Sequence, residues 1–332
     1  MIEVTDLCKS YGDKVAVDHL SFTVRPGSVT GFLGPNGAGK STTMRLILGL
    51  DRPTSGTATI DGKAYAELTT PLRKVGALLE AGAVHPGRSA YHHLLYLAQT
   101  QAIPTARVDE VIDLVGLHDV AHDRVGAFSL GMGQRLGIAA ALLGDPEVLI
   151  LDEPVNGLDP DGIFWFRSML KYLAGQGRTV LVSSHLMSEM AQTADDLIVI
   201  GRGRLIAASS MADFIANNSD QSVLVKAPAA VALRDLLESA GAHVSLDDDG
   251  ALVVRLLDAE SIGEIAGTAG LVLHELSPQR ASLEEAFMEL TAEAVDYHGR
   301  TSLEDLTTAH DTTTAHDLTA HDLTAHDLTT ER

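Results

Sequence analysis

Short apolar runs bounded by turn residues mark the first two thirds of the chain. Residues 28–33, 148–151, 180–183 and 197–200 are each too short for a typical helix and are largely apolar. Such runs are typical of parallel strands that are covered on both faces. Segments with helical spacing lie between them, as at 162–174. The pattern therefore predicts a layered α/β core built on a parallel sheet.

Two other regions of this part have their own periodicity. Before residue 66, apolar and polar positions alternate in short stretches separated by turns such as 25–27, which predicts strands. Between residues 89 and 143, apolar residues recur at helical spacing, as Tyr91, Leu94 and Leu95 do. We therefore predict a β-rich segment at the start and a mostly helical segment between two of the core strands.

A second domain follows a connector helix at 211–218. Its strands and helices alternate in the order βαββαβα, which is consistent with a small ferredoxin-like α+β fold. We predict domain boundaries at 1–220 and 221–295. The predicted elements of the second domain are strand 223–225, helix 229–240, strands 243–246 and 251–256, helix 259–269, strand 272–276 and helix 283–291.

The last segment, 296–332, contains the tetrapeptide Thr-Ala-His-Asp four times. It is too polar to form a packed core, so we predict a disordered tail. Metal binding by its histidines is the alternative. Steps of six, five and five residues do not place them on one helix face, so we expect no specific metal site there. These histidines are His310, His316, His321 and His326.

Composition narrows the possible functions. The chain has 332 residues, of which 45% are hydrophobic, and its net charge is −21. This charge opposes non-specific binding to nucleic acid, which depends on basic patches. No apolar run is long enough to cross a bilayer, and the first residues lack the apolar region of a signal peptide. A single cysteine, Cys8, excludes an internal disulfide framework and is expected in a reducing cytosol.

Residues 34–41 match the pattern G-x-x-x-x-G-K-[ST], in which a glycine-rich loop binds a polyphosphate. Glycines let backbone N–H groups converge on phosphate, and the N-terminus of the following helix adds its dipole. An ordinary glycine-rich turn is the alternative, but a strand precedes the motif and a helix follows it, as the phosphate loop requires. The residues predicted to contact the nucleotide are Gly34, Pro35, Asn36, Gly37, Ala38, Gly39, Lys40, Ser41 and Thr42.

Four side chains have separate predicted roles in nucleotide chemistry. We expect Lys40 to reach the β- and γ-phosphates and Ser41 to ligate Mg²⁺. The apolar run 148–151 leads directly into Asp152 and Glu153. Asp152 is predicted to hold Mg²⁺ through its water shell, and Glu153 to accept a proton from the attacking water. The alternative is a pair of acids that merely end a strand at the surface.

With these motifs in place, the chain resembles the ATP-binding subunits of ABC transporters over about residues 2–215. Residues 129–134, Ser-Leu-Gly-Met-Gly-Gln, resemble a variant of the family's signature motif. Residues 156–159 occupy the position of its D-loop, and His185 that of its switch histidine. The resemblance implies ATP and Mg²⁺ as ligands. It also implies a P-loop ABC ATPase cassette with a parallel-sheet core, an antiparallel β subdomain and a helical subdomain.

Several nucleotide contacts are implied by the resemblance alone. The signature would bind a γ-phosphate through N–H groups at a helix N-terminus. His185 would contact the same phosphate and act with Lys40 and Glu153 in catalysis, and Tyr11 would stack on adenine. The signature and D-loop residues assigned to the nucleotide are Ser129, Gly131, Gln134 and Asp159.

One position departs from the family pattern. Glu80 stands where a glutamine is usual in the loop that faces the membrane partner. Its carboxylate can still ligate Mg²⁺ or a water of Mg²⁺, but it adds negative charge near the phosphates. This variant, the signature with Met132 and Gly133, and the last helix at 281–291 resemble the bacitracin- and daunorubicin-type drug-resistance exporter ATPases.

The resemblance also implies partners and a location. Two copies would sandwich two ATP molecules head to tail, with each phosphate loop facing the partner's signature. An integral membrane permease subunit would bind the loop at 80–93, which places the chain at the cytoplasmic face of the cell membrane. We therefore expect an ATPase that powers export of an antibiotic, a drug or another amphipathic compound.

Two other functions remain as alternatives. A soluble ABC ATPase that acts on nucleic acid or ribosomes usually has two cassettes, coiled-coil insertions or basic patches, and the acidic chain has none of these. We therefore expect no nucleic-acid partner. An importer ATPase with a ligand-binding C-terminal domain is the second alternative, against which Glu80 and the signature argue.

Overall fold

The computed structural model describes residues 1–80, 82–218, 221–247, 250–280 and 283–291. The strands are β1 (Ile2–Tyr11), β2 (Lys14–Val24), β3 (Val29–Leu33), β4 (Ser55–Ile60), β5 (Val75–Leu78), β6 (Val148–Leu151), β7 (Thr179–Ser184), β8 (Asp196–Gly201), β9 (Arg204–Ser210), β10 (Gln221–Lys226), β11 (His243–Leu246), β12 (Leu252–Arg255) and β13 (Glu275–Arg280). The helices are α1 (Lys40–Ile47), α2 (Pro71–Lys74), α3 (Ala90–Thr100), α4 (Ala106–Leu114), α5 (Leu130–Leu142), α6 (Pro160–Gly175), α7 (Met187–Thr193), α8 (Met211–Asn218), α9 (Ala230–Ser239), α10 (Ala259–Thr268) and α11 (Leu283–Thr291).

A six-stranded sheet in the order β5-β6-β7-β3-β8-β9 forms the predicted core. Its first five strands are parallel, and β9 pairs antiparallel with β8. Every residue of β3, β6 and β7 is buried. The sheet separates two hydrophobic clusters, one shared with α5, α6 and α7 and one shared with α1, β1 and β2. The uniformly apolar runs are therefore explained by burial on both faces, and the predicted parallel sheet is confirmed.

The apolar pattern does not reveal the two edge strands of this sheet. β5 has only four residues, and one of them is a glycine. β9 has no fully buried residue, so its sequence mixes polar and apolar side chains. Edge strands have one free side, and their composition is correspondingly less distinctive.

The two predicted subdomains are also present. Strands from the first 60 residues form an antiparallel sheet in the order β2-β1-β4. The pairing of β1 with β2 has three register shifts. The helical subdomain consists of α3, α4 and α5, whose contacts with one another bury Leu94, Val108, Val111 and Leu136. Both subdomains agree with the predicted cassette fold.

The C-terminal sheet has the order β11-β12-β10-β13, with all neighbours antiparallel. With α9 and α10 this gives the predicted split βαβ arrangement and its own apolar cluster. One predicted element is shifted, since the last strand covers Glu275–Arg280 rather than 272–276. Leu271 and Leu273 pack against the cluster from outside the ladder. Pro278 is tolerated within β13 because this is an edge strand.

The last described helix, α11, packs against α7 and α8 of the cassette. Its Phe287 is 8% exposed and belongs to the large apolar cluster of the cassette. The predicted tail, with its four histidines, lies outside the described residues. Within the described ranges, no helix combines the length and the apolar character that a membrane span requires.

Candidate nucleotide site

The phosphate loop joins the buried end of β3 to the N-terminus of α1. Gly37 and Gly39 have φ angles of 85° and 103°, in the left-handed region that favours glycine. A Cβ on Gly39 would lie 2.5 Å from the carbonyl oxygen of Ala16. The loop therefore needs glycine for its conformation and for its close approach to β2.

A cleft of about 380 Å³ lies above this loop. The loop forms one side, and the acids that follow β6 form another. Ser41 is exposed at its mouth, at the start of α1. The cleft is lined by Tyr11, Lys14, Ala16, Pro35, Asn36, Gly37, Ala38, Gly39, Lys40, Ser41, Thr42, Asp152 and Glu153.

The Lys40 ammonium group is folded back onto the loop. The side chain is 7% exposed, and its Nζ donates to the carbonyl oxygen of Gly34 at 2.6 Å. Nζ also lies 3.9 Å from Glu153 Oε1. Burial lowers the pKa of Lys40, while the negative charges of Glu153 and Asp152 oppose this shift. The cation is thus held at the floor of the cleft, where anionic ligands are favoured.

Ser183 on β7 forms hydrogen bonds with both acids that follow β6, Asp152 and Glu153. Its hydroxyl donates to Asp152 Oδ1 and accepts a hydrogen bond from the Glu153 N–H at 2.9 Å. Ser183 is completely buried, and β6 and β7 are parallel neighbours. The position of both acids is therefore fixed by the neighbouring strand as well as by their own.

Glu153 and His185 form a close pair. His185 Nδ1 lies 2.9 Å from Glu153 Oε2. Glu153 has a φ of 46°, a left-handed conformation that is unfavourable for a residue with a Cβ. Such strain is concentrated at functional sites. The loops after β6 and β7 bring these two predicted catalytic residues together, with Lys40 on the other side of the carboxylate.

A second carboxylate, Glu189, lies close to this pair. One of its oxygens is buried and has no hydrogen-bond partner in the described part of the chain. Burial, followed by the charge of Glu153, raises the pKa of Glu189, and His185, Arg167 and a hydrogen bond with Ser184 act in the opposite direction. The protonated form of Glu189 is therefore favoured relative to a free glutamate.

The signature and the D-loop form one surface. Ser129 is exposed and caps α5 by accepting the Met132 N–H at 3.2 Å. A Cβ on Gly131 would lie 2.7 Å from the Gly157 carbonyl oxygen, so the two segments are in close contact. Asp159 caps α6 by accepting the N–H of Gly162 at 2.9 Å. None of these residues is among the described residues that line the cleft.

Gln134 lies on the inner side of α5. Its side chain is 5% exposed, and its amide donates to the carbonyl oxygens of Pro154 at 2.8 Å and Glu153 at 3.3 Å. The structure therefore does not present the predicted nucleotide ligand Gln134 at the surface. It connects the signature helix to the backbone that carries Glu153.

Tyr11 lines the cleft at the end of β1. Its ring is 50% exposed, and its hydroxyl donates to Asp51 Oδ2 at 3.0 Å. Arg45 binds the same carboxylate through a 2.7 Å hydrogen bond. Partial burial and the Asp51 hydrogen bond raise the pKa of Tyr11, so the phenol remains neutral. The Lys9 ammonium lies over the ring, 4.8 Å from its centroid, so one face of the ring already has a cation–π contact.

Glu80 is exposed two residues after β5 and does not line the cleft. The structure therefore does not bring this predicted metal ligand to Ser41 and Asp152. Residue 81 lies outside the described ranges.

The donor set of the cleft fits a nucleoside triphosphate with Mg²⁺. A glycine cradle at a helix N-terminus and a buried ammonium group match the phosphates. The Ser41 hydroxyl and the Asp152 carboxylate are oxygen ligands of the kind that Mg²⁺ prefers. ATP would be held by the loop, and Mg²⁺ by these two oxygens.

Several residues of the site were not apparent from the motifs. Lys14 and Ala16 line the cleft from β2, and Ser183 and Glu189 contact or surround the acids. Ser183 stands two residues before His185, and pairing of the two buried runs would have placed it beside Asp152. No pattern in the sequence indicates the burial of Glu189.

Comparisons with known proteins agree with this geometry. Residues 17–156 match the family model described as ABC transporter, and residues 221–284 match a domain of unknown function. The uncharacterised ABC transporter ATP-binding protein YhcH of Bacillus subtilis is 39% identical over 303 residues, which cover 88% of this chain and 96% of that protein. The bacitracin transport ATP-binding protein BcrA of Bacillus licheniformis is 45% identical over 62% of this chain and 68% of its own length.

The fold also matches solved structures. A structure described as the ATP-binding subunit of an ABC transporter superposes with a TM-score of 0.60 at 27% identity. The match covers 65% of this chain and 92% of the solved chain.

Proposed function

Because this chain belongs to the ATP-binding subunits of ABC transporters, we propose that it powers an exporter through a separate membrane subunit. The chain is an ATPase that binds ATP. The observation that carries the proposal is the cluster of Lys40, Glu153 and His185 beside the phosphate loop. It joins a phosphate-binding cation to a carboxylate that can accept a proton.

The residues of the cleft have distinct proposed roles. The loop amides and Lys40 bind the β- and γ-phosphates, while Ser41 and Asp152 hold Mg²⁺, which neutralises phosphate charge. Glu153 accepts the proton of the attacking water, and His185 orients the carboxylate and contacts the γ-phosphate. The distances from Glu153 to Lys40 and His185 support the roles proposed for these three residues.

Completion of the site is proposed to need a second copy of the chain. The exposed signature at Ser129 lies outside the cleft of its own chain. Its helix N-terminus is suited to a phosphate because of the helix dipole. In a two-fold dimer, each signature would close the partner's cleft, and ATP hydrolysis would reopen the dimer.

Gln134 and Asp159 are proposed to support this interface indirectly. Gln134 connects the signature helix to the Glu153 carbonyl, and Asp159 caps the helix after the D-loop. Tyr11 is proposed to stack on adenine. Glu80 is proposed to reach Mg²⁺ or one of its waters only after it moves, since Glu80 is not among the described residues that line the cleft.

The transported compound is proposed to be a peptide antibiotic or another amphipathic drug. A relative with 45% identity is named as a bacitracin transport protein, which favours a transporter over a soluble cassette protein acting on nucleic acid. The permease is proposed to bind around 80–93 at the cytoplasmic face of the membrane. We also propose the divisions 1–220, 221–295 and 296–332 as nucleotide-binding domain, C-terminal domain and tail.

Purification of the tagged full chain from detergent-solubilised membranes tests this function. We expect a multi-span membrane protein in stoichiometric amount when co-purified proteins are identified by mass spectrometry. The Lys40→Ala variant serves as a control, because its surface is unchanged and it should retain the same partner. Recovery of ribosomes, or of the chain without a membrane protein, would contradict the transporter proposal.

A further inference from the structure

Two irregularities in the first hairpin bring four polar side chains together. The β1–β2 register shifts between Val4 and Leu7 and again between Leu7 and Lys9. Asp6 and His19 have φ angles of 50° and 49°, which are uncommon for residues with a Cβ. Regular pairing of two strands does not require residues with positive φ. The bulges therefore change the directions in which the side chains point here.

Three of these side chains place potential metal-binding atoms close to one another. One donor atom each from Cys8, Asp18 and His19 lies within 4.8 Å of the others. His19 Nε2 is 3.9 Å from Asp18 Oδ1. The Cys8 sulfur accepts the His19 backbone N–H at 3.2 Å and lies 3.7 Å from the Asp6 carbonyl oxygen.

Neighbouring groups orient the donors. Asp6 Oδ1 lies 2.6 Å from His19 Nδ1, which leaves Nε2 directed towards Asp18. Arg204 donates to Asp18 Oδ2 at 2.7 Å and leaves Oδ1 on the His19 side. A carboxylate bound to the second ring nitrogen is the usual support of a metal-binding histidine.

We propose that Cys8, Asp18 and His19 bind a divalent transition metal of the zinc class. Thiolate, imidazole and carboxylate together match the preferences of Zn²⁺, and three protein ligands leave a position for water. Tetrahedral donors around one ion stand roughly 3.3–3.6 Å apart, given metal–ligand distances of about 2.0–2.3 Å. The donor atoms of the exposed His19 and the partly exposed Asp18 therefore need to approach each other by about 0.3–0.6 Å.

The proposed metal would join β1 to β2 beside the nucleotide cleft. Cys8 precedes Tyr11 by three residues, and Asp18 follows Ala16 by two. Tyr11 and Ala16 both line the cleft. The metal site is separate from the Mg²⁺ ligands, so its loss and the loss of ATP hydrolysis are distinguishable.

Co²⁺ titration of the reduced full chain tests the site. Cys8 is the single cysteine of the chain, so a thiolate-to-cobalt charge-transfer band reports on this site and not on the tail histidines. We expect one equivalent of Co²⁺ to produce this band with the strong visible absorption of tetrahedral cobalt. Zn²⁺ should displace it.

Substitutions test the proposed metal ligands separately from Asp6, which orients His19. Cys8→Ser should abolish the band, and His19→Asn, which tolerates the left-handed backbone, should weaken binding at least tenfold. Asp6→Asn should weaken it by about 10–100-fold through the orientation of His19. His118→Asn is the matched control, because His118 Nδ1 lies 2.8 Å from Asp113 in a pair without a thiol. This control should leave the titration unchanged.

Two results would overturn the proposal. One is the absence of a sulfur band at saturating Co²⁺ in protein whose thiol is reduced and reacts with an alkylating reagent. The other is a band that persists unchanged in His19→Asn. Far-ultraviolet circular dichroism and ATP binding of each variant check that the fold is intact.

Discussion

At the scale of single residues, the chemistry depends on how Glu153 is held. Its backbone N–H is bound by Ser183, its carboxylate lies between Lys40 and His185, and its φ is 46°. Ser183 therefore fixes the backbone of Glu153, and Lys40 and His185 each approach one of its carboxylate oxygens. Such preorganisation is what a general base requires.

Glu153→Gln is expected to bind ATP and to hydrolyse it about 10²–10⁴-fold more slowly, because the amide cannot accept the proton of water. Phosphate release and equilibrium nucleotide binding measure the two steps. Glu147→Gln, at the opposite end of β6 in an ion pair with Lys74, is the control. ATP hydrolysis by Glu153→Gln at the wild-type rate would contradict the role proposed for Glu153.

Glu189→Gln is expected to stabilise the fold at neutral pH. The pKa of Glu189 is raised in the folded state, so the folded protein binds this proton more tightly than the unfolded chain. The stabilising contribution of Glu189 is therefore present at low pH and is lost as pH rises through the folded pKa. Denaturation midpoints should differ between variant and wild type at pH 7 and converge near pH 4. An equal difference at both pH values would contradict this account.

At the scale of elements, motif residues were easier to predict than contacts between elements. The buried runs of β3, β6 and β7 and the order of the C-terminal domain followed from apolar spacing and turn signals. The Ser183–Asp152 hydrogen bond and the inward Gln134 depend on strand pairing and helix rotation, which one sequence does not specify. The bulges at Asp6 and His19 were missed because neither residue is a glycine.

Gly39→Ala tests the conformation of the phosphate loop. Its left-handed backbone should cost about 1–2 kcal/mol, and the added Cβ would overlap the Ala16 carbonyl oxygen. We therefore expect loss of ATP binding together with lower stability. Gly175→Ala, at the end of α6 with open space around it, should instead gain up to about 1 kcal/mol. Nucleotide titration and thermal denaturation measure both effects, and unaltered ATP binding by Gly39→Ala would contradict the loop assignment.

Phe287→Ala tests the contact of α11 with the cassette. Phe287 is 8% exposed within the large core cluster, so its truncation should cost about 3–5 kcal/mol. Met288 on the same helix is 68% exposed, and Met288→Ala should change stability by less than about 0.5 kcal/mol. Chemical denaturation compares the pair. Equal effects would mean that α11 does not pack as described.

At the scale of the whole molecule, the proposed ATPase cycle depends on how two nucleotide half-sites meet. The phosphate loop and acids form a cleft, while the signature and D-loop form a separate surface on the same chain. The inward amide of Gln134 links that surface to the Glu153 backbone. Binding of a partner at the signature would therefore affect the position of the general base, Glu153.

The most direct test of this central claim is complementation between two inactive variants. Lys40→Ala removes the phosphate-binding cation, and Ser129→Arg blocks the signature surface. In a mixed dimer, one site contains both defects and the other contains none. ATP hydrolysis by the mixture should therefore exceed the sum of the two variants measured separately. Activity no greater than that sum, in mixtures shown by light scattering to form dimers, would contradict a site shared between two chains.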